Sequence, residues 1–328
     1  MQIAFQVIAD GADVTAKIGD RLLELTLTDE AGQTADTAEI EIDDRDYRVA
    51  LPEVGAKLTI SVGFKGALVE IGQYVVDDIS GQVGPDTMTI SAKSADMRAG
   101  IKSPRTRAWE CITVGDLVEK IAGEHGLRPQ ISDSLKGVVL DYVAQTTESD
   151  LNLLTRVARD LGATVKPAGG AIVFVKTGEG KAADGTDLPV FVVHRTQMTS
   201  ASWQLTGRGV YGRVVAEWSE RDSATVHKVT AGKDDPEQVL RTRYASKAAA
   251  RRAADAALDR SKRGGGTISV ELGGFWGDLT AEAKVDLQGI KSELTGEWLI
   301  TRVTHRLSGT LTTSFDAERD NEEAKKDG

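Results

Sequence analysis

The stretch Arg21-Leu22-Leu23-Glu24-Leu25-Thr26-Leu27-Thr28-Asp29 alternates, with Leu23, Leu25 and Leu27 on one face and Glu24, Thr26 and Thr28 on the other. A period of two marks a half-buried strand. Thr37-Ala38-Glu39-Ile40-Glu41-Ile42-Asp43 repeats it, with Ala38, Ile40 and Ile42 inward and Glu39, Glu41 and Asp43 outward. Residues 57–63 do so again through Leu58, Ile60 and Val62. Turn-forming clusters separate these runs: Glu30-Ala31-Gly32, Asp43-Asp44-Arg45-Asp46 and Pro52-Glu53-Val54-Gly55. Further strands are predicted at 68–79 and 87–92, so the first hundred residues read as an antiparallel barrel or sandwich.

From residue 113 the period lengthens. Thr113 followed by Asp116 forms an acidic capping box, and Val114, Leu117, Val118, Ile121 and Ala122 recur at helical spacing. Thr147-Glu148-Ser149-Asp150 opens a second helix with Leu151, Leu154, Val157, Ala158 and Leu161 on its apolar face, and Gly162 stands just past its end. Residues 163–176 read as a hairpin turning at Pro167-Ala168-Gly169-Gly170, and the Gly- and Lys-rich stretch 177–187 reads as a linker. Strand patterning resumes at 189–194, 200–207, 212–219 and 225–230. An Ala-rich helix spans about 245–261, and strands follow at 267–272, 283–288, 297–306 and 310–318. The expected fold class is therefore mainly β, with helices. Its divisions are a first β-barrel domain at 1–100, a helical and hairpin insertion at 101–180, a second β-barrel domain with one long helix at 188–318, and a disordered tail at 319–328.

Composition narrows the function. Forty Lys+Arg stand against fifty Asp+Glu in 328 residues, a formal net charge of −10 that disfavours wrapping nucleic acid. No apolar run approaches the ~20 residues that span a bilayer, so no stable membrane insertion is expected. The start, Met1-Gln2-Ile3-Ala4-Phe5, lacks a basic n-region, so no secretory leader is expected. A single cysteine, Cys111, forms no internal disulfide and fits a reducing compartment.

A search for chemistry returns nothing. His125, His194, His227 and His305 are scattered, with no ligand spacing to one another or to Cys111. Only Arg105 and Arg107 lie close enough in sequence to depress the Cys111 thiol, which reads as buried or incidental. The pairs Asp43/Asp44, Asp77/Asp78 and Asp234/Asp235 sit by turns, lack a calcium-loop pattern and read as solvated carboxylates. Gly207-Arg208-Gly209 reads as a turn rather than a phosphate loop. In the long helix Lys247, Arg251, Arg252, Arg260, Lys262 and Arg263 are interleaved with Asp255 and Asp259, which suits a solvated face or a protein contact better than DNA. No enzyme activity, cofactor, metal or catalytic residue is expected.

Three stretches carry a family resemblance. Gly11-Ala12-Asp13-Val14-Thr15 with residues 25–29 and 35–43, the helix-then-hairpin element at 148–163, and the closing strands at 296–308 and 312–318 resemble the late control D proteins of contractile-tailed phages. These baseplate hubs form a wider group that includes the VgrG-type spike proteins of secretion systems. The resemblance implies two tail-tube-like β-barrels around an insertion, and a homotrimer that joins a sixfold tail tube to a threefold spike in the virion baseplate, assembled in the bacterial cytoplasm. The implied partners are the tail spike protein, the tube protein or tube initiator, other baseplate proteins and the tape-measure protein, with the spike and any wall-degrading activity on separate polypeptides. Glu39, Glu41 and Asp43 would then face outward from the barrel, toward a lumen. The interface residues between subunits are not read from the sequence. A different class is suggested by residues 112–127, which resemble a peptidoglycan-binding LysM repeat and would make this a wall-binding or wall-degrading tail protein. A tail-tip hub of a non-contractile phage or a bacteriocin particle is a further alternative.

Overall fold

The computed structural model describes residues 2–32, 34–94, 99–168, 170–178, 180, 186–206, 209–219 and 225–319. Most of the predicted linker at 177–187, Gly207 and Arg208 of the predicted turn, and residues 320–328 of the predicted tail lie outside these; Arg319 closes the last strand.

The first unit contains β1 (Ile3–Ala9), β2 (Ala12–Asp13), α1 (Thr15–Ile18), β3 (Leu22–Glu30), β4 (Thr37–Asp43), β5 (Lys57–Phe64), β6 (Ala67–Gln82) and β7 (Thr87–Ser94). The insertion contains β8 (Pro104–Thr113), α2 (Val114–Glu124), β9 (Arg128–Ile131), α3 (Asp133–Lys136), β10 (Val139–Ser149), α4 (Asp150–Asp160), β11 (Ala163–Ala168) and β12 (Ala171–Lys176). The second unit contains β13 (Val190–His194), β14 (Met198–Leu205), β15 (Arg213–Ser219), β16 (Val226–Gly232), β17 (Glu237–Tyr244), α5 (Lys247–Arg263), β18 (Gly266–Leu272), β19 (Lys284–Gln288), β20 (Gly296–Ser308) and β21 (Thr310–Arg319). The mainly-β class expected from the alternating runs is the class observed.

Each unit has its own core. Leu25, Leu27, Ile40, Ile42 and Ile60 centre the first, and Trp298, Ile300, Val303, Val270 and Phe315 centre the second. In the insertion α2 and α4 bury Leu117, Ile121 and Leu154 against Phe174 of β12. Both helices start as predicted: Thr113 caps α2 by accepting from the Asp116 amide, and Ser149 caps α4 by accepting from the Asn152 amide. The strands at β15 and β16 do not join the main sheet. With β17 they form a separate three-stranded sheet, order β16-β15-β17, whose Val214, Ala216 and Ala231 pack on Ala250, Ala254 and Ala257 of α5.

The two units repeat one topology. Hydrogen-bonded neighbours run β3-β4-β7-β6-β5-β1 in the first and β14-β18-β21-β20-β19-β13 in the second, the same path when the six strands of each unit on it are counted in chain order. Only one pairing differs in sense: β13 lies parallel to β19, whereas β1 lies antiparallel to β5. Two of the irregularities coincide as well. Bulges fall between Leu22 and Glu24 in β3 and between Met198 and Ser200 in β14, and again between Val76 and Asp78 in β6 and between Ile300 and Arg302 in β20. Gly55 and Ala56 bond Val76 at 2.8 and 2.9 Å, as Glu282 and Ala283 bond Ile300 at 2.8 and 2.9 Å. In that register Tyr74 matches Trp298, Val76 matches Ile300 and Ala92 matches Ala317, all buried.

A bulge shifts side-chain phase by one residue. That corrects two sequence expectations. Leu23, predicted to face the core with Leu25 and Leu27, is 43% exposed, and Leu22 pairs with Ile42 in its place. In β20, predicted simply as a strand over 297–306, the core face passes from Trp298 and Ile300 to Val303, His305 and Leu307, so its alternation carries a phase change at Thr301.

Strands β3 and β20 also pair with each other, Asp29 to Leu25 opposite Val303 to Leu307, and this fuses the two units into a single thirteen-stranded sheet. One face of that sheet is core. The other, across β18, β21, β20, β3, β4 and β7, carries mostly hydroxyl and charged side chains, from Thr267 and Ser269 through Thr304, Thr26 and Glu39 to Thr89, with Leu23 and Leu299 as apolar members.

Candidate functional site at the junction of the three units

A cleft of about 750 Å³ opens where the first unit, the insertion hairpin and the second unit meet. Lys166 reaches into it from β11. Its Nζ donates to Asp29 Oδ1 at 2.9 Å, Asp36 Oδ1 at 2.6 Å and the Glu30 carbonyl at 2.7 Å. Asp29 Oδ2 accepts from the Ala281 amide at 2.8 Å, and Glu282 Oε1 accepts from the Gly32 amide at 2.9 Å. One ammonium and three carboxylates thus tie the hairpin, β3 with its following turn, and the segment before β19 into a single polar lock. Glu282 holds φ +68°, where the first unit has Gly55 at φ +96°. A side chain is kept in this left-handed conformation, at a cost of order 1–3 kcal/mol, because its carboxylate completes the lock.

The charges are tuned by their surroundings. Burial works against the Lys166 ammonium, but Asp29 and Asp36 overcome it and its pKa stands at about 12. Burial pushes Asp36 up to about 6 against the pull of Lys166, with the Asp29 charge adding to the rise. Burial likewise raises Glu282. His305, which also lines the cleft, bonds Thr313 Oγ1 through Nδ1 at 3.0 Å and meets the edge of Phe275 at 5.3 Å. Burial drives its pKa down to about 4.

A pH dependence follows. His305 titrates at about 4 in the folded chain and at 6.5 when unfolded, so its contribution is full above pH 6.5 and lost as pH falls toward 4. Asp36, raised from 3.8 to about 6, acts with the opposite sign over nearly the same window and flattens the native profile. His305→Leu should therefore gain stability relative to the native chain as pH drops from 7 to 4, by roughly 3 kcal/mol at about 1.4 kcal/mol per unit of pKa. Urea midpoints measured across that range check it, and parallel curves for the two chains would refute it.

The other candidates fall elsewhere. His125 Nε2 lies 2.8 Å from Asp150 Oδ2, and Asp150, fully buried, also accepts from Arg107 at 2.6 Å and Gln145 at 2.8 Å. Burial opposes the Asp150 charge, but Gln145, His125 and Arg107 hold its pKa below the usual carboxylate value. Arg105 and Arg107 bond Glu124, so they serve this network rather than Cys111, which is exposed. The thiol is thus not buried, leaving the incidental reading. His227 stacks on Trp218, and His194 caps a single 3₁₀ turn, Arg195–Gln197. Asp77 pairs with Lys93, and Asp235 pairs with Arg213. Arg252 and Arg260 of α5 donate to the carbonyls of Val139 and Arg159, so they dock the helix on the insertion. The apolar face of α2, the basis of the LysM likeness, lies in the insertion core. Among the described residues no group of three or more His, Cys, Asp or Glu side chains could hold a metal ion, and no helix is long and apolar enough to cross a membrane. The lock joins residues more than a hundred positions apart, and no sequence signal marked it.

Comparison with known proteins supplies the context for this architecture. Residues 39–311 match the family model described as phage tail baseplate hub (GPD). The chain is 34% identical to the probable baseplate hub protein of Escherichia phage 186, over 96% of this chain and 92% of that protein. Its fold is similar to the 43 kDa tail protein of prophage MuSo2 from Shewanella oneidensis, with TM-score 0.72 and 13% identity over 98% of this chain and 99% of that one. It is similar too to an Escherichia coli component of the type VI secretion system described as structurally similar to T4 tail proteins gp27 and gp5, with TM-score 0.55 and 13% identity over 97% of this chain and 77% of that one.

Proposed function

The chain belongs to the phage tail baseplate hub family, and from that premise we propose that it is a structural adaptor, three copies of which join a sixfold tail tube to a threefold spike. The observation that carries this reading is the sheet shared by the two units, with its largely polar outer face. Two units of one topology per chain give a threefold object six similar sheet segments to set against a tube ring. A face of hydroxyls and mixed charge suits a conduit wall. Glu24 and Glu30 on it pair with Arg306 and Arg302 at 2.6 and 2.7 Å, so the wall is less acidic than the net charge alone suggests. In this reading residues 1–100 and 188–318 form the tube-facing parts and 101–180 an outer module. The chain has no catalysis of its own; it is built in the host cytoplasm and resides in the virion baseplate.

Co-expression with the tail tube and spike proteins of the same particle tests it. A complex of three hub chains with one spike trimer, capped by tube protein and sized by light scattering, is the expected product. Recovery of hub chains without either partner would sink the reading.

A further inference from the structure

The polar lock leaves several groups of its own cleft unanswered. All three protons of the Lys166 ammonium go to Asp29, Asp36 and the Glu30 carbonyl. Asp36 Oδ1 accepts from that ammonium and from the Glu30 amide, and Glu282 Oε1 accepts from the Gly32 amide. The second oxygens, Asp36 Oδ2 and Glu282 Oε2, meet no hydrogen-bond donor among the described residues. Two deeply buried neutral groups share this condition. Tyr74 is 3% exposed, and its hydroxyl, lying against Gly72 of the cleft wall, has no hydrogen-bond partner among the described residues. His305, also 3% exposed, bonds Thr313 through Nδ1, and its Nε2 has no partner among them. Both side chains line the cleft. Buried polar groups in this condition call for a ligand or solvent to complete them.

We propose that this cleft binds a small aliphatic diamine, with one ammonium held by Asp36, Glu282 and the Tyr74 hydroxyl and the other by Glu70. Four carboxylates, those of Asp29, Asp36, Glu70 and Glu282, line the cleft against the single ammonium of Lys166. Burial with too little positive charge nearby raises Asp36 to about 6 and lifts Glu282 as well, and a second cation relieves both. Burial, aided by the Asp36 and Asp29 charges, also raises the pKa of Tyr74, so its hydroxyl stays protonated and its oxygen is free to accept from an ammonium. His305, held near 4 by burial, is neutral at pH 7 and does not repel a cation.

The walls say what kind of cation fits. Ile71, Val173, Val175, Leu188 and Leu279 line the cleft and suit a methylene stem, which a bare metal ion lacks. Among the described residues no cluster is fit to hold a metal ion. Glu70 lies four residues before Tyr74 on β6, at most about 13 Å away at ~3.3 Å per residue. Its carboxylate meets only the Gln73 amide, at 3.5 Å. Carboxylates spaced along the cleft call for two positive charges on one stem, whereas a lysine side chain from another protein brings one. The volume of about 750 Å³ falls within the ~300–1,000 Å³ of small-molecule sites. Neither tube nor spike enters this argument, so it stands apart from the hub reading.

Titration calorimetry of the full chain with 1,5-diaminopentane at pH 7, where Asp36 is ionised, tests the site. One diamine per chain should bind, with Kd of about 0.1 mM for so small a ligand. Hexylamine, which carries one ammonium on a similar stem, should bind roughly three- to fivefold more weakly, the weight of an exposed ion pair. Tyr74→Phe keeps the ring in the core and removes only the hydroxyl, so it should weaken the diamine about tenfold or more, as expected for a hydrogen bond to a charged group. Glu70→Gln, at an exposed position, should bring the diamine down to the level of hexylamine. Glu39→Gln, exposed on the outer face of the sheet, should leave binding unchanged. Absence of saturable binding at millimolar diamine means that solvent alone completes these groups and overturns the proposal. Undiminished binding by Tyr74→Phe, or equal competition by magnesium chloride at matched ionic strength, places the diamine on diffuse surface charge and overturns it too.

Discussion

Lys166→Met is expected to lower stability by about 3–5 kcal/mol, the usual cost of removing one partner from a buried ion pair. The methionine fills the stem volume but leaves Asp29 and Asp36 facing each other at the meeting point of three units. Asp29 would keep the Ala281 amide and Asp36 the Glu30 amide, neither of which cancels a full charge. The double variant Lys166→Met/Asp36→Asn should recover part of the loss, because it deletes one of the two stranded carboxylates. Urea unfolding of the native chain and both variants at pH 7 measures the cycle. A loss under about 1 kcal/mol would mean the cluster is screened like a surface pair and does not hold the units together.

Asp150→Ala should cost a similar amount, about 3–5 kcal/mol, but within the insertion alone. It strips Arg107, Gln145 and His125 of a common acceptor and removes the negative charge from the first turn of α4. Asp150→Asn keeps the shape and some of the bonds, so its loss should be roughly half. Hydrogen exchange localises the effect: amides of α2 and α4 should lose protection while those of β4 and β21 keep theirs. Uniform loss across the chain would refute the confinement.

Much of this architecture was legible as sequence. The alternation in β4, β5 and the part of β3 beyond its bulge is strong because one face is core and the other polar, and Thr113 and Ser149 mark helix starts through bonds that are local by nature. Other features depend on partners far along the chain. The bulges at Leu23 and Thr301 change phase without any distinctive residue. The ribbon of β8 and β10 escapes notice because most of it is exposed and has no clean period. The same holds for β17, an edge strand with an irregular burial pattern. The lock needs Lys166 beside Asp29, Asp36 and Glu282, a grouping that exists only once three units have met. The repeat is hidden for another reason: a strand path constrains apolar phase, not identity, so Tyr74 and Trp298 or Ile90 and Phe315 can stand at matching positions with no shared residue.

Joining the two repeated units in one polypeptide changes the mass action of ring building. The β3–β20 joint is intramolecular, with an effective concentration far above that of any free subunit, so it forms on folding and survives dilution. In the proposed ring only every second joint would then depend on protein concentration. The β3–β20 joint has its own marks: Arg302 and Arg306 secure it with ion pairs, while Asp78 and Gln82 occupy the matching places in β6. In the proposed ring, permanent and reversible seams would alternate, and dilution would open only the reversible ones.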